Sequence, residues 1–134
     1  MKVEHVVVEH VHQIWPQVEN HIKLGMPYSQ GDYTLEQIKH FVTTGQWVLI
    51  VIVQDKIIIG ALTINFFNRP NDRVAFITTI GGKGVINTET VNQLKKLVSY
   101  FGATYIEAAG RESVIRLLST QGFKEKYRIT GVKI

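Results

Sequence analysis

Cysteine is absent from the 134 residues of this chain. Disulfides, thiolate nucleophiles and cysteine metal sites are therefore excluded, and redox usage says nothing about the compartment. Long apolar runs are also absent, and no stretch approaches the ~20 residues that span a bilayer. The beginning of the sequence, MKVEHVVVEH, carries charges within its apolar run, which is typical of a strand rather than a signal peptide. We expect a soluble cytoplasmic protein with no membrane partner.

A dense basic stripe is missing as well. The net charge is +4, but the basic residues are scattered, and only Lys124, Lys126 and Arg128 alternate along one predicted strand. Nucleic-acid binding normally requires a denser basic surface, so we do not expect a nucleic-acid partner. His10 and His12 could ligate a metal if they lay on a strand, but no third ligand has suitable spacing, so we expect no metal site.

The composition that is present, 45% hydrophobic and 19% charged residues, is ordinary for a globular protein. A chain of this length can bury a core without disulfides or metals. It contains no internal repeat, linker or low-complexity segment. We expect residues 1–134 to form a single domain.

The first half of the chain predicts a strand, two helices and two strands. Residues 3–8 are rich in β-branched valine and predict a strand, and a helical apolar stripe follows, in which Pro16 either kinks the helix or lies just after its start. Residues 26–33 are rich in turn formers and predict an exposed loop, where Tyr28, Ser29 and Tyr33 could line a substrate entrance. Thr34 with Gln37 predicts a capping box. Residues 47–53 and 57–67 predict two strands, and the first is apolar throughout, so we expect it to be covered on both faces.

The second half predicts a crossover. Residues 74–80 form a third strand of an antiparallel meander, a helix follows, and residues 103–109 form a strand parallel to the third. A last helix ends at Gly122, and residues 124–133 predict a final strand. Apolar spacing places five residues inward on these two helices: Leu94, Leu97, Val98, Leu117 and Leu118. Trp15 and Trp47 lie in apolar patterns and are expected in the core.

The segment that organises this half is VAFITTI, followed by the loop GGKG and then a helix. A glycine-rich loop between a strand and a helix exposes several backbone N–H groups beside the positive end of a helix dipole. Such a loop suits a phosphate or another anion, although it also occurs as a plain tight turn.

This strand–glycine loop–helix, the element order β-α-α-β-β-β-α-β-α-β and the ending LLSTQGF resemble the GNAT superfamily of acyl-coenzyme-A-dependent N-acyltransferases. The resemblance covers nearly the whole chain. It implies an α/β (α+β) fold with a mixed central sheet, an antiparallel meander, a splayed parallel pair and helices on both faces. One of the family's two terminal strands is missing or rudimentary here.

The resemblance also implies a cofactor site. Acetyl-CoA, the acyl donor, would lie where the fourth and fifth strands splay apart. The residues implied to flank the pantetheine arm are Thr78, Thr79 and Ile80. Those implied to hold the phosphates are Gly81, Gly82, Lys83, Gly84 and Val85, with Arg111 as a further cation.

The sequence departs from the family in two ways. The small residues expected in the family's loop fall at Glu89 and Val91, so the loop is either lengthened, with GGKG as its glycine segment, or degenerate.

The second departure concerns catalysis. The tyrosine that many members carry on the last helix is matched by Leu118, which cannot donate a proton, and Ser119 is a neighbouring hydroxyl. Glu107 is the best-placed candidate base by topology, with Asp72 and His40 behind it, and the alternative interpretation is that Glu107 is a paired or solvated strand residue. Glu89 lies in the first turn of the helix after the loop, where it would compete with a bound phosphate.

Two functions remain open. The first is an acetyl-CoA-dependent N-acyltransferase that transfers an acyl group to the primary amine of a small molecule or peptide. The second is a catalytically inactive GNAT-like structural or interaction protein, similar to small phage proteins that include virion components. The oligomeric state is open, with a homodimer among the alternatives.

Overall fold

The structure, a computed structural model, describes residues 1–26 and 31–134, so the predicted entrance residues Tyr28 and Ser29 lie outside the described residues. The elements follow in the order β1 (Lys2–Val6), α1 (Val8–Gly25), α2 (Leu35–Thr43), β2 (Val48–Gln54), β3 (Ile57–Asn68), β4 (Arg73–Gly81), α3 (Thr88–Tyr100), β5 (Tyr105–Ala108) and α4 (Glu112–Ser119).

The strands form one mixed sheet in the order β1-β2-β3-β4-β5. Strands β1 to β4 pair antiparallel, and β5 pairs parallel to β4, as the sequence predicted. Strands β4 and β5 are parallel because helix α3 crosses over between them and returns the chain to the end of the sheet at which β4 began. The predicted fold class is confirmed.

Helices cover both faces of this sheet. Leu49 and Val51 of β2 pack under α1 and α2, while their neighbours Ile50 and Ile52 pack on the side of α3. Strand β2 is therefore apolar at successive positions because both of its faces are buried. Trp15 and Trp47 are buried on the side of α1 and α2, which confirms their predicted place in the core.

Helix α1 runs unbroken through Pro16, so a start just before this proline is wrong. At the beginning of α2 the capping box is present: the Gln37 N–H donates to Thr34 Oγ1 at 3.2 Å, and the Thr34 N–H donates to Gln37 Oε1 at 2.9 Å. Within residues 1–26 and 31–134, we find no helix that combines the length and apolarity of a transmembrane span.

The predicted apolar stripes are only partly confirmed. Leu94, Val98 and Leu118 are buried, but Leu97 is half-buried and Leu117 is 49% exposed. Adjacent helical residues point about 100° apart, so when Leu118 faces the protein Leu117 cannot. The prediction that both leucines of α4 point inward was wrong.

The predicted final strand is also wrong, because residues 123–134 form neither helix nor strand. Their apolar side chains are exposed, with Ile129 at 84% and Val132 at 91%. The alternating pattern of residues 124–133 favours an extended backbone, but a β-strand also needs a neighbouring strand with which to form hydrogen bonds. Strand β5 is correspondingly shorter than the predicted residues 103–109.

Candidate functional site

Strands β4 and β5 separate halfway along β4. Their pairing runs from Val74 opposite Tyr105 to Ile77 opposite Ala108, and then ends. Strand β4 continues along β3 alone, after a β-bulge at Thr78. The bulge increases the local twist and turns the end of β4 away from β5. An opening therefore lies between the second half of β4 and the chain that follows β5.

The hydrogen-bond pattern shows which backbone groups face this opening. The Thr104 N–H donates to the carbonyl of Arg73 at 2.9 Å, so Arg73 and, by alternation, Ile77 are directed at β5. Beyond the bulge at Thr78 the alternation is reversed, since one extra residue has been inserted. The N–H and carbonyl of Ile80 then point away from β3. They face the opening, in which none of the described strands lies.

A cavity of about 290 Å³ occupies the opening. One wall is residues 78–80, the other is residues 109–111, and Gly25, Tyr33 and Ile129 also line it. A Cβ at Gly25 would lie 2.7 Å from the carbonyl oxygen of Ile80. The absence of a side chain at Gly25 thus lets the end of α1 close over the backbone that lines the cavity.

Three threonines fix the bulge. Thr63 Oγ1 lies 2.6 Å from Thr78 Oγ1 and 2.7 Å from Thr79 Oγ1, and Thr78 Oγ1 donates to the Thr63 carbonyl at 3.1 Å. With the Thr78 proton used in that way, the Thr63 hydroxyl donates to Thr78 and the Thr79 hydroxyl to Thr63, so every proton has an acceptor. Thr63 is fully buried. The position of the opening is therefore set by a closed hydroxyl network.

Tyr33, which the sequence assigned to a substrate entrance, lies at the cavity wall. Its ring packs edge-on against Trp47, with centroids 4.9 Å apart. Burial first, and then the charge of Asp32, raise the pKa of the Tyr33 hydroxyl. The hydroxyl therefore keeps its proton at neutral pH and can act as a hydrogen-bond donor.

The glycine loop takes a different course from the cavity. Gly81 still pairs with Ala61, and a Cβ at Gly82 would lie 2.6 Å from the carbonyl oxygen of Ile59. Val85 is buried, with its Cγ1 atom 2.7 Å from the position of a Cβ on Gly60. The loop thus folds across the end of β3. Of the predicted cofactor residues, the structure brings Thr78, Thr79, Ile80 and Arg111 to the cavity, whereas Gly81, Gly82, Lys83, Gly84 and Val85 lie outside its lining.

The N-terminus of α3 is already engaged within the protein. Asn87 Oδ1 accepts the Thr90 N–H at 2.9 Å, and Asn87 Nδ2 donates to the Gly84 carbonyl at 3.1 Å. The Glu89 carboxylate, which the sequence identified as a competitor for phosphate, accepts a hydrogen bond from the α-amino group of Met1 at 3.1 Å. An anion at this loop would have to rely on the backbone of residues 82–84 and the exposed Lys83.

Glu107, the predicted base, forms a bidentate ion pair with Arg69, at 2.7 and 2.8 Å. Lys126 Nζ lies 3.6 Å from the same carboxylate. The hydrogen bonds and charge of Arg69, aided by Lys126, hold the pKa of Glu107 below its ordinary value against the effect of burial. The paired Glu107 carboxylate is therefore a weaker base than a free glutamate. It also lines a larger cleft beside β5 and not the cavity between β4 and β5.

The ion pair predicts a pH-dependent effect of Glu107→Gln. The folded pKa lies below the unfolded one, so the stabilisation is complete above the unfolded pKa of ~4.3 and is lost as the pH falls through the folded pKa. Urea unfolding should show wild type more stable than Glu107→Gln at pH 7, with the difference shrinking in acid. In an Arg69→Gln background the substitution should have much less effect. A difference that is constant down to pH 2 would contradict the ion pair.

Ser119 and the histidines contribute little to this site. The Ser119 hydroxyl donates to the Arg116 carbonyl at 2.7 Å, within α4, and the residue lines the larger cleft. His10 and His12 lie on helix α1, not on a strand as a metal site at this spacing would require. Arg111 precedes α4 and lines the cavity.

Several residues of the cavity were not identified from the sequence, among them Gly25, Gly110 and Ile129. Gly25 ends helix α1, and its contact with Ile80 depends on how α1 crosses the sheet. Ile129 was assigned to a strand. For Gly110, the available sequence signal is its position directly after the predicted strand 103–109, where a glycine is typical of a turn.

Comparison with solved structures finds acetyltransferases over the whole chain. An aminoglycoside acetyltransferase from an uncultured soil metagenomic sample gives a TM-score of 0.70 at 14% identity, covering 99% of this chain and 97% of its own. A predicted acetyltransferase from Clostridium acetobutylicum with acetyl-CoA gives 0.66 at 11%, covering 98% and 95%. A ribosomal-protein-alanine N-acetyltransferase from Brucella melitensis biovar Abortus gives 0.66 at 8%, covering 100% of both chains.

No family model and no curated protein matches the sequence. The similarity is therefore one of structure, and it extends from end to end. The chain has the GNAT fold, as the sequence predicted. The likeness to phage proteins stays a prediction.

Proposed function

We propose that residues 1–134 act as one acyltransferase domain, which transfers an acetyl group from acetyl-CoA to a primary amine of a small molecule or peptide. The observation that carries this proposal is the opening between β4 and β5, with the Ile80 N–H directed into it. One of the similar structures was solved with acetyl-CoA, and others are described as an aminoglycoside and a ribosomal-protein acetyltransferase. These descriptions support the proposed classes of donor and acceptor.

In this proposal the pantetheine arm lies along residues 78–80, and the Ile80 N–H donates a hydrogen bond to it or to the thioester oxygen. The diphosphate lies beyond the end of β4, near residues 82–84 and Lys83, with Arg111 on the opposite side of the opening. Glycine backbone permits close approach to an anion, and lysine adds a point charge. Catalysis then rests mainly on holding the amine and thioester together.

Calorimetric titration with acetyl-CoA tests the proposal. Wild type should bind at micromolar to millimolar ligand, and Lys83→Glu should weaken binding at least tenfold (~1.4 kcal/mol), because it puts a like charge beside the diphosphate. Lys96→Glu, on the exposed side of α3, makes the same change in net charge at a distant place and should bind like wild type. Low salt gives the clearest result, since Lys83 is exposed and screened.

A second candidate function is an interaction module without catalysis. Two observations favour it: the glycine loop folds over Gly60, and the first turn of α3 is already capped by Asn87, with Glu89 beside it. In that case wild type would bind no acetyl-CoA at millimolar ligand, and Lys83→Glu would change nothing. Such a result would exclude the acyltransferase function and leave only the fold assignment.

A further inference from the structure

Neither Leu118 nor Ser119 can act on the sulfur atom that leaves in the proposed acetyl transfer. Leu118 is buried and has no proton to donate, and both residues line the larger cleft instead of the cavity. When an amine attacks a thioester, negative charge develops on the sulfur, and a hydrogen-bond donor directed at that charge lowers the barrier. Such a donor must therefore come from a residue that lines the β4–β5 cavity.

The described wall of this cavity carries polar side chains of three kinds, namely a carboxylate, a guanidinium and hydroxyls: Asp32, Arg111, Tyr33, Thr78 and Thr79. The hydroxyl protons of the two threonines are used within the network around Thr63. Asp32 is exposed, and an ionised carboxylate only accepts hydrogen bonds. Arg111 is assigned to the diphosphate in the proposed function. The remaining donor is the hydroxyl of Tyr33.

The ring of Tyr33 is held in place by the core. It packs edge-on against Trp47, which in turn stacks on Phe41 with ring centroids 4.5 Å apart. Burial, and then the charge of Asp32, raise the pKa of the Tyr33 hydroxyl, so it stays protonated well above neutral pH. A donor that is positioned before the reaction needs no reorganisation when charge develops on the substrate.

We propose that Tyr33 is a catalytic residue, whose hydroxyl donates a hydrogen bond to the sulfur of acetyl-CoA as the thioester bond breaks; this assignment rests on the proposed acyltransferase function. The amine nitrogen bonds to the carbonyl carbon, and the carbon–sulfur bond breaks with its electron pair on the sulfur. The nitrogen then loses one proton to water, and the thiolate takes one proton from water. Tyr33 keeps its own proton throughout and stabilises the thiolate as a donor.

Binding of coenzyme A and of desulfo-coenzyme A, which lacks the thiol, tests this assignment without an acceptor amine. A free thiol has a pKa of roughly 8.5, and a donor to the thiolate lowers that pKa in the complex. The extra affinity for coenzyme A is then complete above the free pKa and is lost as the pH falls through the bound one. In calorimetric titrations between about pH 6.5 and 9.5, the ratio of the two affinities should rise roughly tenfold in wild type, the size of one hydrogen bond to a charged group. In Tyr33→Phe it should stay nearly constant.

The substitution isolates the hydroxyl. Asp32 and Arg111 are the charged side chains on the described wall of the cavity, and they act on a thiolate equally in wild type and variant. Tyr33→Phe keeps the ring that packs on Trp47, so the variant should fold. Tyr105→Phe removes the same oxygen from a residue of the larger cleft, which does not line the cavity, and should behave like wild type.

Acetyl transfer to a small primary amine gives a second measurement. Tyr33→Phe should lower kcat about tenfold and leave the KM for acetyl-CoA within about threefold, because the charge that the hydroxyl stabilises develops only after binding. An affinity ratio that stays flat in wild type, or rises equally in Tyr33→Phe, would overturn the role of Tyr33 and leave the acyltransferase. A wild type that binds neither coenzyme A nor desulfo-coenzyme A at millimolar ligand would overturn both.

Discussion

Gly81→Ala is expected to destabilise the protein by more than about 3 kcal/mol, although it adds a single methyl group. A Cβ at this position would overlap the carbonyl oxygen of His21 on α1. The backbone of Gly81 lies in strand β4 and has no positive φ, so alanine is excluded by the neighbouring helix and not by its own conformation. The clash can be relieved only if α1 moves away from the sheet, because the clashing oxygen belongs to the backbone of His21.

Urea or thermal unfolding checks this expectation, with Gly131→Ala as the control. A Cβ at Gly131 meets open space, so that variant should lie within about 0.5 kcal/mol of wild type. His21 and Gly25 are one helical turn apart and lie over the neighbouring residues Gly81 and Ile80. A stable Gly81→Ala protein would mean that α1 does not cross β4 at this distance, and the cavity roof formed by Gly25 would then be in doubt.

Much of the fold could be predicted from the sequence because its signals are local. The Thr34–Gln37 capping box is a contact between residues three apart, and the doubly buried β2 shows itself as a continuous apolar run. The parallel pairing of β4 and β5 follows from one helical crossover. Each of these inferences needs only neighbours in the chain.

The site could be predicted only in part, since it depends on contacts between distant segments. The register shift at Thr78 is absent from the sequence pattern, yet it decides that Ile80 faces the opening. The glycine loop was identified correctly as a loop, but its path over Gly60 depends on a glycine some 20 residues earlier. Glu107 and Arg69 are 38 residues apart in the chain, so their ion pair could not be predicted from the neighbouring residues of either one.

Ile80→Pro is expected to weaken acetyl-CoA binding more than tenfold and to slow acetyl transfer to a small primary amine about a hundredfold. Proline removes the one N–H that we assign to the thioester or the pantetheine arm. The ladder with β3 should survive, because alternation directs this N–H away from β3 and proline is tolerated where the N–H is not used in pairing. Circular dichroism should therefore show a folded protein.

Two further variants separate the N–H from the side chain. Ile80 packs on the core beside α3, so Ile80→Ala loses apolar contact but keeps the donor, and its acetyl-CoA affinity should stay within about threefold of wild type. Thr79→Pro removes an N–H that faces β3 and disturbs the threonine network, so it should unfold or melt well below Ile80→Pro. If wild type binds acetyl-CoA and Ile80→Pro binds it as tightly as Ile80→Ala does, the ligand makes no bond to this N–H. The arm would then have to lie elsewhere in the opening, with Tyr33 and residues 109–111 as the remaining walls.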